Sequence, residues 1–177
     1  MLMIPLRWLP AAAALLAVFA PAAPAAGPRP KPADFTINLM DGKTLTLSQY
    51  RGHPVVLAFI LTSCPHCQAA VKVLSKLQTE YGSRGLQVLA SAIEQDSQAH
   101  IALFIKNFAP PFPVGYNSGT EAEALIRPTG RLPMMPLMGI FDKKGILLAQ
   151  HEGEEPYFTD LETNLRKEIE PLLQSKR

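Results

Sequence analysis

Seven apolar residues in a row, Val55-Val-Leu-Ala-Phe-Ile-Leu61, run directly into Thr62-Ser-Cys-Pro-His-Cys67. A short run without a polar side chain predicts a strand buried on both faces. The proline just behind it suits the first position of a helix, where its missing N–H is not needed. From there Cys67, Val71, Leu74, Leu77 and Tyr81 recur at helical spacing and give the segment one apolar stripe. Gly82 and Gly85 predict its end. A doubly buried strand handing over to a helix requires a sheet with covered faces, so the chain is constrained to an α/β architecture.

The remaining segments extend that plan. Phe35-Thr-Ile-Asn-Leu and Thr44-Leu-Thr-Leu flank Asp41-Gly42 and predict a hairpin ahead of the central strand. Leu86 to Ile93 reads as the next strand, and Asp96 or Ser97 would cap a helix running to about Asn107. Pro110, Pro111 and Pro113 stop it. A short strand at Val114 and a short helix from Thr120 to Ile126 follow. Leu137 to Phe141, the turn Asp142-Lys-Lys-Gly145 and Ile146 to Gln150 form a second hairpin. Leu161, Leu165, Ile169, Leu172 and Leu173 mark a C-terminal amphipathic helix. The first half is a βαβ crossover and the second is antiparallel, which together predict a mixed central sheet flanked by helices. With 177 residues, 47% of them hydrophobic and 18% charged, the chain suits one ordered domain, expected over 34–177.

The N-terminus differs in kind. Arg7 is the only charged side chain before Arg29, and ten apolar residues, Ala11 to Ala20, lead into Pro-Ala-Ala-Pro-Ala-Ala-Gly. A basic start, a short apolar stretch and a small-residue end form a secretory signal peptide, expected over 1–26 with cleavage near Ala25 or Ala26. A Pro-rich linker over 27–33 follows. The alternative is a retained anchor, but a spanning helix wants about 20 apolar residues. Membrane association is therefore expected only if this segment stays attached, and the protein is expected to be periplasmic or secreted. No Cys follows the apolar run, which excludes a lipoprotein anchor. The net charge is +2 with scattered Lys and Arg, which argues against nucleic acid as a partner.

Export changes the meaning of the only two cysteines, Cys64 and Cys67. Disulfides persist outside the cytosol, but a bridge between positions this close restrains almost no loop. Redox chemistry is the better use for the pair. The free N–H groups and dipole at a helix start favour a thiolate at Cys64. Pro65 starts the helix, Cys67 returns to the same side of the first turn, and His66 brings partial positive charge. The Cys64 thiolate would attack a substrate disulfide, and Cys67 would then resolve the mixed disulfide and leave a Cys64–Cys67 bridge. Zinc requires more ligands than this segment offers, and His53, His100 and His151 show no ligand spacing. A c-type haem needs His directly after the second Cys, where Gln68 stands. The expectation is no metal and no cofactor beyond the redox-active disulfide.

The stretch from Gly42 to Phe59, the CxxC, Phe112-Pro-Val and Met135-Pro-Leu-Met-Gly-Ile-Phe-Asp-Lys-Lys-Gly145 together resemble exported thioredoxin-like proteins of the TlpA/ResA type, within the redoxin (AhpC/TSA-like) superfamily. The likeness covers nearly all of residues 34–173. It implies a thioredoxin fold with an N-terminal β-hairpin extension and a central strand-helix insertion. It implies a thiol–disulfide oxidoreductase with protein thiol/disulfide substrates and an upstream redox partner. It also implies a cis-proline facing the CxxC, a place that Pro136 matches, with the Met135 backbone free to pair with substrate. An acidic residue near the cysteines is a further implication, for which Glu94 and Asp96 both qualify. Three features depart from the family pattern. Ser63 stands where Trp is common, Met135 stands where Thr or Val is common, and Pro65-His66 is the dipeptide of the strongly oxidising DsbA proteins.

Two other readings share this fold. A peroxiredoxin-like thiol peroxidase carries Thr three residues before its reactive Cys, and here Leu61 fills that place. A copper chaperone would combine Cys64 and Cys67 with Met134, Met135 and Met138, although methionine is equally a core filler.

Overall fold

The computed structural model describes residues 31–125 and 134–174. The expected signal peptide and most of the linker lie outside these residues. The elements follow in the order β1 (Thr36–Asn38), β2 (Thr44–Thr46), β3 (Val55–Ile60), α1 (Pro65–Tyr81), β4 (Gln87–Ala92) and α2 (Ser97–Phe108). Then come β5 (Val114–Tyr116), α3 (Gly119–Leu125), β6 (Leu137–Phe141), β7 (Leu147–Glu152) and α4 (Leu161–Gln174). The strands form one sheet of seven in the order β2-β1-β5-β4-β3-β6-β7.

The apolar run of β3 is explained by its place. It is parallel to β4 on one side and antiparallel to β6 on the other. Val56, Ala58 and Ile60 point into a core layer built with α1, α2 and α4, while Val55, Leu57 and Phe59 point into a second layer with Phe35, Leu47 and Ala122. Side chains alternate across a strand, so a strand with two buried faces has no polar position to offer. The predicted α1 stripe faces the first layer, with Cys67, Val71, Leu74, Leu77 and Tyr81 each at most 2% exposed. Gly85 ends this region with φ 104, a left-handed backbone that suits glycine.

Some local expectations are corrected. Asp96 occupies the cap position of α2, but its φ is 57 and its side chain makes no capping hydrogen bond. The extended backbone from which an Asp oxygen reaches the first amides is missing there, and the Asp96 carbonyl accepts the Ala99 N–H at 2.8 Å instead. β7 runs two residues past Gln150, because Glu152 still pairs with Leu137 of β6. In α4, Leu161, Leu165 and Ile169 are buried, whereas Leu172 and Leu173 beyond Pro171 are only half-buried. His53 is exposed in the turn ahead of β3, with Nδ1 3.1 Å from the Gly85 carbonyl oxygen.

Candidate active site

Strand register gathers the candidate residues at one end of the sheet. Ile60 closes β3 opposite Ala92 of β4, and Phe59 pairs with Leu137 at the start of β6. Cys64 therefore leaves the sheet at the end where Glu94 follows β4 and Pro136 precedes β6. Glu152, opposite Leu137, ends β7 at the same border.

The two sulfurs have unequal surroundings. Cys64 is the N-cap residue of α1, with φ −77 and ψ 120, and its Sγ accepts the Cys67 N–H at 3.5 Å. Its carbonyl takes the Gln68 N–H at 3.0 Å, so the sulfur rides on a regular helix start with Pro65 at the first position. Cys64 is partly exposed and Cys67 is buried, and both are free thiols. The Leu61 N–H donates to Cys67 Sγ at 3.5 Å. Loss of hydration pushes the Cys67 thiol up to about 12; this Leu61 contact opposes the shift, and Cys64 and the Glu94 charge add to it.

Of the two acids, Glu94 is the one hydrogen-bonded into the cysteine loop. Its Oε1 accepts the Thr62 N–H at 2.9 Å and also the Thr62 hydroxyl. Its Oε2 is buried and has no hydrogen-bond partner among the described residues. Asp96 stands exposed at the head of α2.

The Met135–Pro136 peptide bond is cis. Met135 is half-buried and packs against both core layers, and Met134 is 43% exposed beside it. Met138 is fully buried in β6 and serves as core. His66 is exposed and lines a groove of about 290 Å³ with Ala69, Val73, Gly153 and Phe158. Among the described residues, no group of three or more His, Cys, Asp or Glu is placed to hold a metal ion.

Sequence reasoning missed two residues beside this end of the sheet. His151 stacks on Tyr157 with ring centroids 3.5 Å apart, and its two ring nitrogens each lie 3.0 Å from a carboxylate oxygen, of Glu155 and of Glu168. Glu152 is a buried acid whose Oε2 accepts the Met134 N–H at 3.1 Å. An acid ending an otherwise polar Gln150-His-Glu run reads as solvent-facing, and only the pairing with β6 turns it inward.

The Redoxin family model matches residues 25–165. The thiol–disulfide oxidoreductase ResA of Bacillus thuringiensis subsp. konkukian is 27% identical over 122 residues, covering 69% of this chain and 68% of that protein. A Chlorobium tepidum protein described as a thiol:disulfide interchange protein DsbE has a crystal structure that superposes with a TM-score of 0.69 at 26% identity, over 81% of this chain and 96% of that one. A Xenopus laevis protein described as glutathione peroxidase 8-B is 30% identical over a shorter stretch, 49% of this chain and 46% of that protein. The architecture is the thioredoxin fold that the resemblance implied, with the β1–β2 hairpin as the N-terminal extension and β5–α3 as the central insertion.

Proposed function

Since this chain belongs to the Redoxin family as a thiol–disulfide oxidoreductase, we propose that it exchanges disulfides with exported proteins through Cys64 and Cys67. The observation that carries this reading is the pairing of a partly exposed sulfur capping α1 with a buried sulfur one turn on. The exposed sulfur meets the substrate. The buried one is shielded from solvent and lies beside it.

In the reducing direction the Cys64 thiolate attacks a substrate disulfide, whose S–S bond breaks and whose second sulfur leaves as a thiolate. Cys67 gives up its proton and attacks Cys64 Sγ. The mixed disulfide breaks, the substrate leaves as a dithiol once protonated, and a Cys64–Cys67 disulfide remains. Thiols of an upstream partner restore the reduced pair. The Oε2 of Glu94, buried and without a hydrogen-bond partner, is the acceptor we assign to the Cys67 proton. His66, the exposed residue between the two cysteines on the loop side, is assigned a supporting role beside Cys64. Met135 and Pro136 offer main chain to an extended substrate segment. Export rests on the basic, apolar and small-residue succession of residues 1–26.

The test is insulin disulfide reduction. Cys64→Ser is expected to abolish it, and Cys67→Ser to accumulate mixed disulfides that survive non-reducing electrophoresis. Full activity in Cys64→Ser would overturn the assignment. A redox potential near about −270 mV would place the pair among reductants, and one near about −120 mV among oxidants. Thiol-dependent peroxide consumption outpacing disulfide exchange would favour a thiol peroxidase instead.

A further inference from the structure

Strand β7 grips the segment that precedes β6. Glu152 is 6% exposed, and its Oε2 accepts the Met134 N–H at 3.1 Å. The next residue, Gly153, donates its N–H to the Met134 carbonyl at 2.9 Å. Two consecutive residues thus take up both polar groups of the Met134 main chain. The contact is close. A Cβ on Gly153 would fall 2.4 Å from the Met135 carbonyl oxygen and 2.8 Å from its carbon. Glu152 is itself held, since its N–H donates to Glu155 Oε1 at 3.2 Å. Glu155 in turn presents Oε2 to His151 Nδ1 at 3.0 Å.

A buried acid at a strand end costs stability unless its oxygens are hydrogen-bonded. A valine or leucine opposite Leu137 would fill the same place in the ladder without that cost. What an apolar residue would not supply is the acceptor for Met134. The residue this anchor steadies is Met135, whose main chain makes no hydrogen bond among the described residues.

We propose that Glu152 is a positioning residue, which holds Met134 so that the Met135 main chain stands ready to pair with the extended segment flanking a protein substrate's cysteine. The inference rests on the reading of Met135 given above. It assigns the site a preference for cysteines within extended polypeptide over small disulfides. The carboxylate touches neither sulfur nor substrate, and it acts through the backbone it holds.

The experiment compares two mixed disulfides of thionitrobenzoate, one with an extended cysteine peptide and one with free cysteine. In both, the Cys64 thiolate attacks the cysteine sulfur and releases coloured thionitrobenzoate, the better leaving group. Cys67 then resolves the enzyme–substrate disulfide. The parent is expected to favour the peptide. In single turnovers of the reduced enzyme, Glu152→Leu lowers the ratio of the second-order rate constant for the peptide to that for cysteine by about tenfold, the effect of losing the hydrogen bond to Met134, and the loss lies in the half-saturating concentration. Glu152→Gln keeps an acceptor oxygen at the same reach and retains the ratio within about threefold. Glu152→Asp withdraws the oxygen by one methylene and repeats the loss, which keeps the question open to test should Glu152→Leu fail to fold. An unchanged ratio in both Glu152→Leu and Glu152→Asp, or no peptide preference in the parent, overturns the inference. Failure of the parent to release thionitrobenzoate from either compound would instead overturn disulfide exchange itself.

Discussion

Glu94 is bonded to Thr62 twice, through the peptide N–H and through the hydroxyl, both to Oε1, while its Oε2 is buried and unpartnered among the described residues. One oxygen ties the loop behind β4 to the loop that carries Cys64, and the other stays available. Glu94→Gln keeps an acceptor for Thr62 and removes the charge. The Cys67 thiol is then expected to titrate below its present value of about 12, because the Glu94 charge helps to raise it. Resolution of the mixed disulfide is expected to slow by about 10²-fold, the low end for a lost general base. Quenched-flow measurement of substrate release, with the pH profile of Cys67 alkylation, checks both. An unaltered resolution rate would remove Glu94 from the proton path.

The reduced protein should lose stability in alkali. Burial raises the Cys67 thiol to about 12 in the folded chain, against about 8.5 for an exposed cysteine. Below about pH 8.5 both states hold the proton and the contribution is fully present. Between about pH 8.5 and 12 the unfolded chain ionises while the folded one does not, so stability falls with rising pH. Urea unfolding of the reduced protein across that range should show the decline, and Cys67→Ala should lessen it between about pH 8.5 and 10, below the range where the raised hydroxyls of Tyr50, Tyr81 and Tyr157 add their own. At about pH 8 iodoacetamide should label Cys64 at least about tenfold faster than Cys67.

The parts legible in the sequence were those whose cause is local. The run from Val55 to Leu61 and the stripe from Cys67 to Tyr81 carry their own periodicity, so β3 and α1 follow from neighbours in the chain. Pro65 and Gly85 mark the ends for reasons of backbone geometry alone. The choice between Glu94 and Asp96 was not legible, because it depends on the left-handed turn at Asp96 that sends one acid to solvent. His151 and Glu152 were missed because their partners come from other elements. Glu168 is 17 residues from His151, and Met134 is 18 residues from Glu152.

Gly115→Ala is expected to destabilise the fold by about 1–3 kcal/mol through overpacking. A Cβ there would lie 2.3 Å from the Asn38 carbonyl oxygen and 2.3 Å from Ile37 Cγ2, where β5 meets β1. The urea midpoint measures the loss. The alkylation rate of Cys64 should stay within about twofold, since β4 and β3 separate this contact from the sulfurs.

His151→Phe preserves the ring stack on Tyr157 and deletes both links to carboxylates. Glu168 retains the Tyr157 hydroxyl at 3.0 Å. A loss of about 1–3 kcal/mol is expected, from half-buried acids left with fewer partners. A thermal melt no lower than the parent's would show that the stack alone supports this corner.

The β1–β2 hairpin joins the rest of the sheet through a single registered pair, Asn38 with Tyr116, whereas β3 is laddered along both sides. Backbone protons in β2 should therefore trade with deuterium during brief local openings, while those of Val56 to Phe59 should wait for the whole domain to come apart. Electron transfer is thus mounted on the slowest-opening stretch of the molecule, and fraying at the far border need not reach the thiols.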